Sequence, residues 1–355
     1  MRETAAVLTQ GLFTTINAKT AHGLVRGPSR WTILALLDHA SAGRDAGEVL
    51  DGTPRGIPIL ADLATLLASG LRPDWLVVGV ATPGGVLPPE LRPTLLAALE
   101  RGIGVASGMH EFLGDDPELA AAAARTGARI VDIRKPKPRR ELHFWSGAIA
   151  SVKAPRIAVL GTDCALGKRT TSQAVVAACR ARGLVAEMIY TGQTGWLQGG
   201  RFGFVLDSTP NDFVSGELEH AIVACDRELA PDLLLLEGQS ALRNPSGPCG
   251  AELLLSGGAR GVILQHAPAR EFFDDQEHLG NRIPSLASEL QLIAMYGAEV
   301  LAIALNHEHL DAAARERARA AIAAETGRPV FFPLLEGCEV AMPAILDHLA
   351  REGRR

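Results

Sequence analysis

The segment IAVLGTDCALGKRTTS, residues 157–172, constrains the chain more than any other. An apolar run ends at Gly161, five residues intervene, and Gly167-Lys168 opens a helical pattern. Glycines let backbone N–H groups converge on an anion, the helix N-terminus adds partial positive charge, and the lysine adds a full one. Such a strand–loop–helix folds only within an α/β domain, so Gly161, Thr162, Asp163, Cys164, Ala165, Leu166, Gly167, Lys168, Arg169 and Thr170 form a predicted phosphate loop. The common form has four residues between its glycines and Ser or Thr after the lysine, whose hydroxyl holds Mg²⁺. Here there are five, and Arg169 follows Lys168. Thr170 comes one position late, rotated by about 100° on a helix. A ligand phosphate neutralised by two cations therefore fits better than metal-assisted phosphoryl transfer, and no metal ligand is assigned.

Around this loop, short apolar runs alternate with helical patterns, as in parallel sheets built from βαβ units. Strands are expected at 156–160, 185–190, 233–236, 261–265, 300–305 and 330–332, and helices at 168–182, 213–228, 284–296, 310–325 and 340–351. This predicts a doubly wound domain over 151–355 with a P-loop NTPase-like, mainly parallel sheet. Upstream, strands at 32–37, 75–80, 104–106 and 130–133, with helices at 61–68, 90–101 and 117–126, predict a smaller Rossmann-like domain within 1–150. It has no GxGxxG. Gly79, Gly84 and Gly85 follow a strand, but Pro83 between them reads as a turn and not as a dinucleotide cradle. The basic, proline-containing stretch 134–147 reads as a solvated connection between the two.

The chain has 355 residues, which suits two domains, and 47% of them are hydrophobic, enough for sizeable cores. The net charge is −5 and the basic residues form no block, so nucleic acid is not an expected partner. No run approaches the ~20 apolar residues of a membrane span, and the N-terminus has no leader pattern, so a cytoplasmic protein is expected. The five cysteines are scattered without CxxC, which argues against a disulfide framework or a zinc site. Cys164 reads as a small filler in the loop and less well as a nucleophile.

The other polar clusters fall just past strand ends, where a doubly wound sheet places its ligand. Glu237 follows four leucines, so a partly desolvated carboxylate at the sheet edge is expected, suited to Mg²⁺ or to general-base work. Asp212 is the expected N-cap of the helix at 213–228, on which Glu217 and His220 share a face as further catalytic candidates. Arg243, helped by Arg201, is expected to clamp a substrate carboxylate. Gln193, Thr194 and Gln239 lie in polar strand-end loops and complete the expected substrate contacts. Backbone N–H groups of 192–195 are candidates for oxyanion stabilisation.

The stretches GTDCALGKRTT and LLLLEGQS resemble the dethiobiotin-synthetase branch of phosphate-loop proteins. Over nearly the whole chain, KTAHGLVR, YTGQTGW, PNDFVSGELEH, EGQSALRNPSGPCGAELLLSGGA and RPVFFPLLEG resemble more closely the bacterial D-glutamate N-acetyltransferase family. That resemblance implies acetyl transfer from acetyl-CoA to the amino group of D-glutamate or a similar acidic amino acid, and an epimerase-like pathway partner. Coenzyme A brings phosphates to the loop without requiring the missing hydroxyl. The alternatives are a Mg-ATP-dependent ligase or kinase and a nucleotide sensor without catalysis. Apolar-rich helices suggest a homo-oligomer. Lys19, His22 and Arg26 match family positions in the N-terminal domain.

Overall fold

The computed structural model describes residues 2–353. The chain divides into two compact units, one comprising 1–137 with 193–200, the other 138–192 with 201–355. No helix among the described residues is long and apolar enough to cross a membrane.

The first unit contains β1 (Thr4–Leu8), α1 (Lys19–Arg26), β2 (Thr32–Leu37), α2 (Ala46–Asp51), β3 (Ile59–Leu60), α3 (Leu63–Ala68), β4 (Trp75–Val78), α4 (Arg92–Leu99), β5 (Gly104–Ser107), α5 (Pro117–Thr126) and β6 (Ile130–Asp132). Its sheet has the order β3-β2-β1-β4-β5-β6, parallel throughout. This is the Rossmann arrangement, with the strand order reversing between β1 and β4. Strands covered on both faces need near-continuous apolar runs, and β1 and β4 are buried through Ala5–Leu8 and Trp75–Val78. The sequence reading did not assign β1, β3, α1 or α2. The first strand is TAAVL, too short beside a polar start to stand out by pattern.

Finding β1 makes the segment after it the turn where a dinucleotide fold keeps its phosphate cradle. Here the turn is filled from within. Asp38, fully buried past the end of β2, accepts the N–H groups of Gly11 and Phe13 at 2.7 and 3.1 Å and the Thr9 hydroxyl at 2.8 Å. The amides that would meet a pyrophosphate are thus committed to a side chain of the same unit. The residues 83–85 form a 3₁₀ turn with Gly84 and Gly85 at positive φ.

The second unit contains β7 (Arg156–Gly161), α6 (Lys168–Ala181), β8 (Ala186–Ile189), α8 (Asn211–Leu229), β9 (Leu233–Glu237), α9 (Ala251–Leu255), β10 (Gly261–His266), α10 (Leu286–Met295), β11 (Glu299–Leu305), α11 (Ala312–Thr326), β12 (Val330–Phe331), α12 (Pro333–Glu336) and α13 (Met342–Glu352). The five-residue helix between β8 and α8, α7 (Gln193–Leu197), belongs to the first unit. The sheet order is β12-β11-β10-β7-β9-β8, again parallel, so the expected α/β class holds in both units. β7 is central, flanked by β9 and β10, and the loop after it opens between the ends of those two strands.

Helix α8 begins at Asn211, with Pro210 before it, so Asp212 lies inside the first turn and does not cap the helix as expected. The inner face of α8 carries two carboxylates that hold the stretch read as a solvated connection. Glu217 is 2% exposed and accepts the His143 N–H at 2.9 Å. Glu219 accepts N–H groups of Ser146 and Ile149 and the Ser146 hydroxyl. Burial raises the Glu219 pKa, but these hydrogen bonds outweigh it and hold the carboxyl below its ordinary value.

Candidate functional site

The loop between β7 and α6 is shaped by two residues with positive φ, Ala165 at +52° and Gly167 at +103°. Its remaining geometry is imposed by neighbouring strand ends. Thr162 donates its N–H to the Gln265 carbonyl at 3.0 Å, and its hydroxyl lies 2.9 Å from Nδ1 of His266. The Thr171 hydroxyl reaches Oε1 of Gln265 at 2.5 Å. Asn306 donates to the Leu166 carbonyl at 3.4 Å. The polar ends of β10 and β11 therefore brace the loop.

Asp163 anchors it from the other side. This carboxylate is fully buried and accepts from Arg270 at 2.7 Å, from the Asp274 N–H at 2.8 Å and from Asn244 at 3.3 Å. Arg270 also donates to the Cys164 carbonyl at 2.9 Å. Sequence reasoning placed Asp163 in the loop but missed Arg270 and Asn244, because nothing in their local pattern marks a partner 80 to 110 positions away. The Cys164 thiol lies 3.5 Å from the Ser240 hydroxyl.

Lys168 is 7% exposed, and its Nζ donates to the carbonyls of Asp163 at 2.7 Å and Ser240 at 2.8 Å. Among the described residues it has no carboxylate partner at ion-pair distance. Burial lowers its pKa, opposed by Cys164, Asp163, Cys249 and Glu237. Gly161 is the residue that lets this lysine lie back on the loop, since a Cβ there would stand 2.9 Å from Nζ. These two carbonyls are the hydrogen-bond partners, among the described residues, of this desolvated ammonium at the start of α6.

Glu237 closes β9 at 3% exposure, as the run of leucines implied. Its carboxylate accepts the Thr191 N–H at 3.0 Å and that of Gly192. Burial raises its pKa, while Arg169, the two N–H groups and Lys168 pull against that rise. The Thr191 hydroxyl donates to the Glu237 carbonyl at 2.7 Å and accepts from Gln239 at 3.0 Å, so Gln239 supports this strand end. Glu237, Lys168, Arg169 and Gln239 are brought together with the loop.

Other expected site residues are placed differently. Arg243 is committed to the second unit's own acid: Nε donates to Glu289 at 2.8 Å and Nη2 to the Ser288 hydroxyl at 2.6 Å. Glu289 is 1% exposed; burial raises its pKa and Arg243 lowers it. Arg201 pairs with Glu228 on α8. Glu217 is occupied by His143, whose ring stacks on that of His220 at 3.7 Å between centroids. Gln193 and Thr194 are buried in α7 of the first unit, where Gln193 lies against Gly108. The Gly192 N–H is taken by Glu237, which removes it from the expected oxyanion donors.

Comparison with known proteins agrees with this architecture. A protein from Tritonibacter scottomollicae named D-glutamate N-acetyltransferase is 34% identical over 243 residues, covering 66% of this chain and 70% of the relative. One of the same name from Pseudoalteromonas sp. is 29% identical over 232 residues, covering 63% of this chain and 65% of its own. The crystal structure of a DUF1611 family protein from Anabaena variabilis ATCC 29413 superposes with a TM-score of 0.88 at 30% identity, covering 97% of this chain and 99% of that one. The family model described as the DUF1611 Rossmann-like domain, of unknown function, matches residues 39–136, and that described as its P-loop domain matches 143–342. With both parts matched in this order, the chain belongs to the DUF1611 family.

Proposed function

We propose that the chain is an N-acetyltransferase that uses acetyl-CoA to acetylate the amino group of D-glutamate or a similar acidic amino acid. The observation that carries this reading is Lys168, a buried ammonium whose hydrogen-bond partners among the described residues are two carbonyls, followed by Arg169 where a magnesium-binding hydroxyl would stand. The hydroxyls of Thr171 and Ser172 are donated to Gln265 and to the Lys168 carbonyl, so they too are committed within the unit. Such a loop suits the phosphates of coenzyme A better than Mg-ATP chemistry. The two relatives named D-glutamate N-acetyltransferase support the same reaction and acceptor.

Acetyl-CoA supplies the acetyl group as a thioester. The loop Gly161–Thr170 with Lys168 and Arg169 holds its phosphates. Glu237 takes a proton from the substrate ammonium, because only the free amine attacks a thioester; its raised pKa brings a carboxylate closer to neutral pH, where a base is effective. Phosphate binding and proton transfer thus meet at the carboxyl ends of β7 and β9.

The test is to titrate the full chain separately with acetyl-CoA and Mg-ATP, then to follow CoA release on adding D- and L-glutamate. CoA release with an acidic amino acid is the expected result. Tight Mg-ATP binding with no CoA release would overturn the proposal in favour of an ATP-dependent ligase or kinase.

A further inference from the structure

The loop between β7 and α6 offers an anion its own amides: the N–H groups of Asp163, Cys164, Ala165, Leu166 and Gly167 donate to no acceptor among the described residues. On the β9 side of β7 the loop is flanked by Glu237, and on the β10 side by His266. Glu237 is the proposed base; His266 carries no assigned role. Its ring is fixed by Thr162, the second residue of the loop, whose hydroxyl lies 2.9 Å from Nδ1. Nε2, across the same ring, has no protein partner among the described residues. Nor is it one of their buried, unsatisfied atoms, so on this half-buried side chain Nε2 is open at the strand ends.

The Thr162 hydroxyl decides which ring nitrogen carries the proton. Thr162 is fully buried, and Nδ1 of His266 is the partner of its hydroxyl among the described residues. If Nδ1–H donated to that oxygen, the hydroxyl proton would be left unpaired in the interior, which is unfavourable. The hydroxyl therefore donates to Nδ1, and the imidazole proton sits on Nε2. Burial pushes the pKa of this ring down to about 4, so it is uncharged at neutral pH. A neutral N–H beside Lys168 and Arg169 adds a hydrogen bond to an anion without bringing a third cation into the loop. An open donor next to unspent loop amides selects an oxygen-rich anion, since a cation has nothing to accept and an apolar group would leave every donor unpaired. We infer that His266 is a ligand-binding residue, its Nε2–H donated from the end of β10 to an oxygen of the phosphate that the loop amides hold. The inference rests on the phosphate-loop reading and not on acetyl transfer.

Two substitutions separate this role from a structural one. In His266→Asn the side-chain amide keeps a group for Thr162 where Nδ1 stood and nothing replaces Nε2; in His266→Gln the longer amide places an N–H where Nε2 stood. The full chain is titrated by calorimetry with inorganic pyrophosphate, CoA and Mg-ATP. Whichever of these the wild type binds should bind about tenfold or more weakly to His266→Asn, as loss of a charge-assisted hydrogen bond requires, and within about threefold of wild type to His266→Gln. A brace for Thr162 alone predicts the reverse order. In the wild type, the ¹⁵N resonance of His266 Nε2, assigned by its loss in His266→Gln, should move on saturation with the tightest of the three, a readout that does not depend on His266→Asn folding. The inference is overturned if the wild type binds none of the three, if His266→Asn binds like the wild type, if His266→Gln loses as much as His266→Asn, or if the Nε2 resonance stays in place. Binding that depends on Nε2, in a protein that releases no CoA with any amino acid, keeps this contact and removes the acetyl-transfer reading.

Discussion

The Glu217 carboxylate receives two hydrogen bonds from one residue, His143: the backbone N–H at 2.9 Å and ring Nδ1 at 2.7 Å. A carboxylate so occupied on a buried helix face acts as a tether. Glu217→Ala is expected to destabilise the protein by about 1–3 kcal/mol, the cost of leaving such donors unpaired. Turnover per folded molecule should stay near wild type. Denaturant unfolding paired with an activity assay checks this, and lost turnover at unchanged stability would return Glu217 to the base role.

The neighbouring tether sets an acid limit. Glu219 has a folded pKa below its ordinary 4.5, so its contribution is fully present above that value and is lost as pH falls through the folded pKa. Thermal midpoints measured below pH 5 should fall less steeply in Glu219→Gln, which starts from a lower plateau at neutral pH.

Glu237 has the opposite sign. Burial raises its folded pKa, so the native state binds the proton more tightly than the unfolded chain does, and stability declines as pH rises through the folded value. Glu237→Gln should therefore be at least as stable as the wild type, with the advantage larger at pH 8 than at pH 5. Its turnover should fall by about 10²–10⁴-fold, the usual share of a general base. Measuring melting and CoA release on the same preparation separates the two effects; full turnover would exclude Glu237 as the base.

His266 gives a third pH dependence. Burial pushes its pKa from 6.5 down to about 4, so the folded protein keeps this imidazole neutral beside Thr162. The unfolded chain takes up the proton first, and stability is lost as pH falls from about 6.5 towards 4. In His266→Gln the melting curve should be flatter across that window. An unchanged slope would show that the imidazole titrates normally.

Gly161→Ala places a methyl carbon 2.9 Å from Lys168 Nζ, the far end of a flexible side chain. The fold should survive while the lysine is displaced, weakening CoA binding by about tenfold or more. In Gly238→Ala the new carbon would stand 2.2 Å from the Val159 carbonyl, a backbone atom that cannot step aside. That variant should lose melting temperature as well as binding, and calorimetry with circular dichroism distinguishes them.

What could be read from the sequence follows from how local each signal is. Leu233–Leu236 and Ile157–Leu160 are apolar runs buried on both faces, so their pattern alone identifies central strands. Gly161, Lys168 and Glu237 were legible because strand ends and glycine spacing are local as well. The commitment of Arg243 to Glu289, of Glu217 to His143 and of Asp163 to Arg270 joins residues 46, 74 and 107 positions apart. Each of these side chains looks like site chemistry until its partner is known. Asp38 was hidden for the same reason: without β1, the turn that it closes had no place in the fold.

The first unit is not finished when its last strand is made. Gln198 donates to the Gly23 carbonyl at 2.8 Å, Trp196 packs edge-on against Trp31, and Arg30 lies 4.1 Å over the Trp196 ring. These partners come from a stretch made more than fifty residues after Lys137. During synthesis the Rossmann-like sheet can assemble early, but Trp31 and Gly23 must wait for residues 193–200 to leave the ribosome. A chain cut at the obvious boundary would therefore carry an uncovered tryptophan, and the two halves of this protein are a single biosynthetic unit even though their sheets are separate.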